Sequence, residues 1–277
     1  EICAKEGLSV SEVMLRREME RSERSRDDIM ADLRSNLQVM QTSITKGLDP
    51  ENLQHGVFTG GDAVKLNHFA ASSNMGREMA EIVAAAIAVV EVNASMGLIV
   101  AAPTAGSAGV VPGMMLALQE CYRISDQRVV DALFNAGAVG YLAMRNATVA
   151  GAVGGCQAEV GVASAMAASA AVELMGGTPQ QCLDAASTVL MNMLGLVCDP
   201  VGGLVEYPCQ NRNAAGVANA LVAAEISLSG IRQLIPFDQM LDAMYAVGKR
   251  LPAELRETAQ GGCATTPAAC AACGLCG

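Results

Sequence analysis

Apolar positions recur at helical spacing along most of this chain, and nowhere do they alternate over the length of a strand. Ile29, Leu33, Leu37 and Met40 mark one face of a helix, with Ser25 and Asp28 resembling a capping box ahead of it. Ser9 or Ser11 can cap an earlier helix over residues 14–20. The pattern then predicts an alanine-rich helix over 78–96, a restart near Pro112 running to Tyr122, and a helix over 126–145. It predicts others over 160–175 and 179–194, the last opened by Thr178 as cap and Pro179 in the first turn. Two more follow at about 214–230 and 237–248. Residues 47–75 read as a loop, with Gly47, Pro50, Gly56 and Gly60-Gly61-Asp62. Residues 195–213 read as irregular, broken by Pro200, Gly202, Gly203 and Pro208. The expected fold is therefore all-α, a single helical domain with glycine-rich irregular loops. Residues 1–46 form an amphipathic lead-in to that domain, 47–260 its core, and 261–277 a Cys-rich tail without helix signals, expected to be flexible.

Composition sharpens the picture. Hydrophobic residues make up 52% and aromatics only 3%, with no Trp, so Ala, Val, Leu and Met must fill the core, which suits close helix–helix contact. The lead-in holds 17 of the 46 charged residues, as befits an exposed surface. A net charge of −10 argues against a nucleic-acid surface. Residues 92–119 carry no charge over 28 positions, which raises a membrane span. Asn93, Pro103, Pro112 and four glycines, with Thr104 and Ser107 at the centre, argue instead for broken backbone lining a buried site. Neither nucleic acid nor membrane is an expected partner. The first residues, Glu1-Ile2-Cys3-Ala4-Lys5, lack the apolar run of a signal peptide. Ten cysteines in a chain this long then read as reduced cytoplasmic thiols, some of them metal ligands.

Groups able to do chemistry are few. His55 and His68 are the only histidines, with Lys65 between them; burial would lower the Lys65 pKa toward that of a useful base. Thr104 and Ser107 lie in the run Ala102-Pro103-Thr104-Ala105-Gly106-Ser107-Ala108-Gly109, where two glycines and two hydroxyls form a polar loop between apolar segments. Glu159 is the only charge in residues 146–172. Cys121 and Cys182 fall in helical patterns and are expected to be buried small hydrophobes. Cys156, Cys198 and Cys209 each sit at a Gly- or Pro-rich break, where thiolates can converge and backbone N–H groups can meet sulfur. In the tail, Cys270, Cys273 and Cys276 match the start of a ferredoxin-like run but lack its fourth Cys. Spacing alone leaves both cysteine groups open.

Four blocks together carry a resemblance. They are the 102–109 loop, Gly155-Cys156-Gln157-Ala158-Glu159-Val160-Gly161, Gly195-Leu196-Val197-Cys198-Asp199-Pro200, and Pro208-Cys209-Gln210-Asn211-Arg212-Asn213. With Arg256-Glu257-Thr258-Ala259-Gln260-Gly261-Gly262 near the end, the chain resembles the iron–sulfur-dependent L-serine dehydratases (L-serine ammonia-lyases), in particular the α chain of the two-subunit form. The resemblance implies a helical catalytic domain, a β-subunit partner, a higher oligomer and a place in amino-acid catabolism. It implies a [4Fe–4S] cluster on Cys156, Cys198 and Cys209, with the penultimate Cys276 in the position from which some members cap the fourth iron. It also implies deamination of L-serine to pyruvate and ammonia without pyridoxal phosphate. In that reading Arg212, Asn211, Thr104 and Ser107 bind substrate, Glu159 faces its ammonium group, and Lys65 or His68 takes the α-proton. Two rivals stand beside it: an L-cysteine desulfidase of the same mechanism, and an iron–sulfur redox carrier or sensor built on the tail.

Overall fold

The computed structural model describes residues 1–274. Its helices are α1 (Ile2–Glu6), α2 (Val10–Ser22), α3 (Arg26–Gly47), α4 (Asp62–Phe69), α5 (Arg77–Ala94), α6 (Val110–Tyr122) and α7 (Asp126–Asn146). After them come α8 (Gly151–Gly154), α9 (Val162–Leu174), α10 (Pro179–Asn192), α11 (Cys209–Leu228), α12 (Phe237–Gly248) and α13 (Pro267–Cys273). Among the described residues no strand forms; two isolated bridges join His55 to Gly60 and Cys198 to Arg256. None of these helices is long and apolar enough to cross a membrane.

Helix α9 is the axis. Every one of its residues except Glu173 is buried, and six of them are alanines. A helix with no polar face must be covered on all sides, and α6, α7, α10 and α11 surround it. Helix α5 extends the assembly by packing on α11, α6, α3 and α4, while α2 lies along α7. Glu173, at the C-terminal end of α9, reaches outward and takes the N–H groups of Val10 (3.0 Å) and Ser11 (3.3 Å), together with the Asn135 amide (2.8 Å). A carboxylate on the axis thus satisfies the orphan donors at the start of α2, beside the Ser9 cap. The expected cap at Thr178 forms, and Gln181 completes it as a capping box.

Three segments depart from expectation. Residues 62–69, read as loop, form α4. The first two N–H groups of that helix, from Asp62 (2.7 Å) and Ala63 (3.3 Å), donate to the fully buried Glu91 of α5. That cap comes from 28 residues away, so no local pattern announces it. Helix α11 begins at Cys209, five residues before the expected start, which puts the third cysteine in a first helical turn. The tail is not loose through residue 274. Thr266 caps α13 and Pro267 sits at its first position, the same pair that opens α10. Helix α13 packs on residues 201–203, with Ala264 and Ala269 buried.

Glu91→Ala should strand the two N–H groups at the start of α4 and leave a cavity, at a cost of about 2–4 kcal/mol. Urea denaturation measures the loss, and amide exchange at Asp62 and Ala63 should accelerate before that of α9. Unchanged exchange at those two amides would show that α4 holds without its distant cap.

Candidate functional site

The backbone breaks on either side of the core bring Cys156, Cys198 and Cys209 together. Cys156 follows α8 and precedes a π-helical turn, Gln157–Gly161, that leads into α9. Such wide turns cluster at functional sites because they redirect side chains without ending the helix. Gln157, 1% exposed, fixes this turn. Its amide donates to the carbonyls of Gly154 and Met244, both at 2.8 Å, and its oxygen accepts the Gly195 N–H at 2.8 Å. The Gln157 N–H in turn reaches the Leu196 carbonyl at 3.0 Å, so the Cys156 turn is fastened to the strand of chain entering Cys198. Cys198 is zipped to the C-terminal segment: its N–H donates to the Leu255 carbonyl (2.9 Å) and its carbonyl accepts the Glu257 N–H (2.6 Å).

All three thiols are buried and none is in a disulfide. Burial pushes Cys156 up to about 11, with Arg212 opposing and Glu159 adding to the rise. Burial, then Cys156 and Glu159, push Cys209 up to about 12. Cys198 is driven further up by burial, by Glu159 and by the other two sulfurs. Cys198 feels both of the other sulfurs and Cys209 feels Cys156, so the three thiols neighbour one another in a site that resists thiolate charge unless a cation offsets it. Among the described residues no three His, Cys, Asp or Glu side chains converge tightly enough for a single metal ion. An iron–sulfur cluster makes a different demand, since each thiolate binds its own iron and the sulfurs stand apart. Three free, buried, neighbouring thiols fit that demand.

Glu159 borders the sulfurs, with the Cys198 thiol 3.6 Å from its Oε2. Burial pushes its pKa up, opposed by the Thr104 hydroxyl and raised again by Glu257. Gly151 leaves the room: a Cβ there would lie 2.5 Å from Glu159 Oε2 and 3.0 Å from Cys198 Sγ. The 102–109 loop closes against the same carboxylate, its Thr104 and Ser107 hydroxyls 3.1 Å apart. Arg212 is half-buried; its Nη1 donates to the Val197 carbonyl (2.8 Å) and its Nη2 lies 2.7 Å from Asp199 Oδ1. A cleft of about 410 Å³ lined by Met193, Leu194, Leu196, Arg212 and Ala215 opens beside it.

Other expected site residues lie elsewhere. Asn211 is exposed on the first turn of α11. Lys65 is exposed too, and pairs with Asp62 at 2.8 Å; the Asp62 carboxylate raises its pKa, opposite to the lowering a buried base requires. His68 is exposed on α4. Cys276 lies outside the described residues. Cys121, expected in the core, is exposed near the end of α6, because its position faces outward there; Cys182 is fully buried as expected.

A profile described as "Serine dehydratase alpha chain" matches residues 5–264. The "Probable L-serine dehydratase, alpha chain" of Bacillus subtilis (strain 168) is 50% identical over 269 residues, covering 96% of this chain and 89% of the relative. The chain belongs to the serine dehydratase alpha chain family. The "L-serine dehydratase, alpha chain" of Peptoniphilus asaccharolyticus is 42% identical over 95% of this chain and 91% of its own length. "L-serine dehydratase TdcG" of Escherichia coli (strain K12) is 35% identical over 95% of this chain, which spans 59% of that longer relative.

Two residues escaped the reading of the sequence. Asn213, fully buried one turn after Cys209, accepts the Gly109 N–H (3.1 Å) and donates to the carbonyls of Gly106 and Cys209, both at 2.8 Å. It pins the 102–109 loop to the Cys209 turn, and its i+4 spacing from Cys209 on one helix face was the available signal. Glu206 is 4% exposed and accepts the N–H groups of Val57 (2.9 Å), Phe58 (2.7 Å) and Thr59 (2.9 Å), plus the Thr59 hydroxyl (3.0 Å). Its signal was being the only charge between Asp199 and Arg212. Gln210 adds a second tie to the same region, donating to Asp62 Oδ2 at 3.0 Å.

Asn213→Ala should lose about 2–4 kcal/mol in urea denaturation, since it removes three hydrogen bonds to the backbone, among them that of the buried Gly109 N–H; a loss below half of that would remove Asn213 from the role of pin. Burial raises the Glu206 pKa, but the four donors together outweigh it and hold the carboxyl low. A lowered folded pKa means stabilisation present above the ordinary carboxylate range and lost as pH falls through the folded value. The melting-temperature gap between wild type and Glu206→Gln should therefore be widest near neutrality and close in acid. A gap independent of pH would contradict the clamp.

Proposed function

We propose that this chain deaminates L-serine to pyruvate and ammonia without pyridoxal phosphate, using a [4Fe–4S] cluster held by Cys156, Cys198 and Cys209, in the cytoplasm and together with a β subunit. The observation that carries the reading is the gathering of three buried, unpaired thiols from three separate segments. The names of the relatives supply the substrate, and the words "alpha chain" in them supply the partner. When bound, the cluster supplies a Lewis-acidic iron that makes the serine hydroxyl a better leaving group.

The protein's own groups do the rest. Glu159 stands beside the thiols in a water-poor wall, where it takes the substrate ammonium and fixes the orientation of the α-carbon. The Thr104 and Ser107 hydroxyls and the neighbouring loop backbone donate to the substrate carboxylate. Glu159 is also the carboxylate of this chain best placed to accept the α-proton. Lys65 in its present ion pair is not such a base, and a group from the β subunit can share that task.

Cys156→Ser, Cys198→Ser and Cys209→Ser should each abolish the brown absorbance after anaerobic reconstitution with iron and sulfide, while far-UV circular dichroism stays native. Cys270→Ser and Cys273→Ser should leave it intact. The opposite pattern moves the cluster to the tail and sinks the reading. Loaded wild type mixed with β should release pyruvate from L-serine; release from L-cysteine alone would favour the desulfidase.

A further inference from the structure

The guanidinium of Arg212 is directed at groups of its own chain. Its side chain is 15% exposed and that of Asp199 only 3%. Nη1 is committed to the Val197 carbonyl, and Nη2 lies 2.7 Å from Asp199 Oδ1, a charge pair without an N–H aligned on that oxygen. The same guanidinium faces the Cys156 sulfur. A carboxylate grip needs two parallel N–H groups free, and here they face groups of this chain. Arg212 thereby touches the Cys156 turn and the Cys198 loop from its own place on α11, the helix that carries Cys209.

Asp199 continues the connection. Its Oδ2 accepts the Cys263 N–H at 2.6 Å. Gly262, at φ 61°, packs so closely on the carboxylate that any Cβ would collide with it. Upstream, Cys198 is already laddered to Leu255 and Glu257. The segment 255–263 is thus held at both ends by the loop that carries Cys198.

Resting on the cluster reading above, we propose that Arg212 is a positioning residue that braces the segments carrying the three thiolates, rather than the grip on the substrate carboxylate, and that Asp199 couples this brace to the C-terminal segment. A buried pair of this kind makes each partner depend on the other, because removing one leaves a buried charge uncompensated.

The test uses the full chain with Arg212→Gln and Asp199→Asn. In protein without cluster, trypsin should cut after Arg256 about tenfold faster in both variants than in wild type, read by mass spectrometry, because either change loosens the brace. After anaerobic reconstitution, the visible absorbance of R212Q should bleach under an iron chelator about tenfold faster or more. Its KM for L-serine with β should move by less than about threefold. Wild-type trypsin and chelator lifetimes in R212Q overturn the proposal, the more so if KM alone rises steeply. Should R212Q lack the native circular dichroism, R212K, which keeps the charge but not the planar fork, is read in its place against the same outcomes. If wild type itself takes up no cluster, the cluster reading fails, and the trypsin measurement alone decides whether the Arg212–Asp199 brace exists.

Discussion

Side chains that reach across the chain to backbone groups hold this structure around its sulfurs. Three thiols gathered in a dry interior require that the helices stop near one another, and each stop leaves N–H and C=O groups that water cannot serve. Gln157, Asn213, Glu206 and Glu91 meet that demand, each satisfying two or more backbone groups. An alanine-rich core lets helices approach closely but offers no hydrogen bonds of its own. The polar pins are therefore few, buried and individually costly to remove.

Charge follows the same economy. Arg212 and Asp199 neighbour the sulfurs, and Glu159 adds a carboxylate that burial pushes toward its neutral form. A cationic metal cluster would relieve the charge cost on all three thiols at once, whereas Cys182, equally buried beside Asn135, has Cys3 rather than two further sulfurs beside it. On the proposed reading, what separates a ligand from a core cysteine is the number of sulfurs gathered, not burial.

The C-terminal segment belongs to the site as well as to the tail. Residues 255–263 ladder onto Cys198 and Asp199, and α13 continues onto residues 201–203. Whatever enters beside the thiols meets a wall made partly of chain from the far end of the sequence. That arrangement ties residues 255–273 to the loop that carries Cys198.

By itself, the sequence determined the all-α fold, the axis helix and the capped starts at Ser25 and Thr178, with Ser9 and Ser11 both open for the first, because helical period and caps are local properties. It also marked the three cysteines, since each lies at a break written in Gly and Pro. Tertiary structure alone decided the rest. Helix α4 exists because Glu91 caps it from another helix; Lys65 is exposed because α4 turns it outward; and Arg212 faces Cys156 and Asp199 because α11 begins five residues early. Asn213, not Asn211, is the buried amide for the same reason, a matter of helix phase. Burial, partner and phase are set by which elements meet, and no single stretch of chain contains that information.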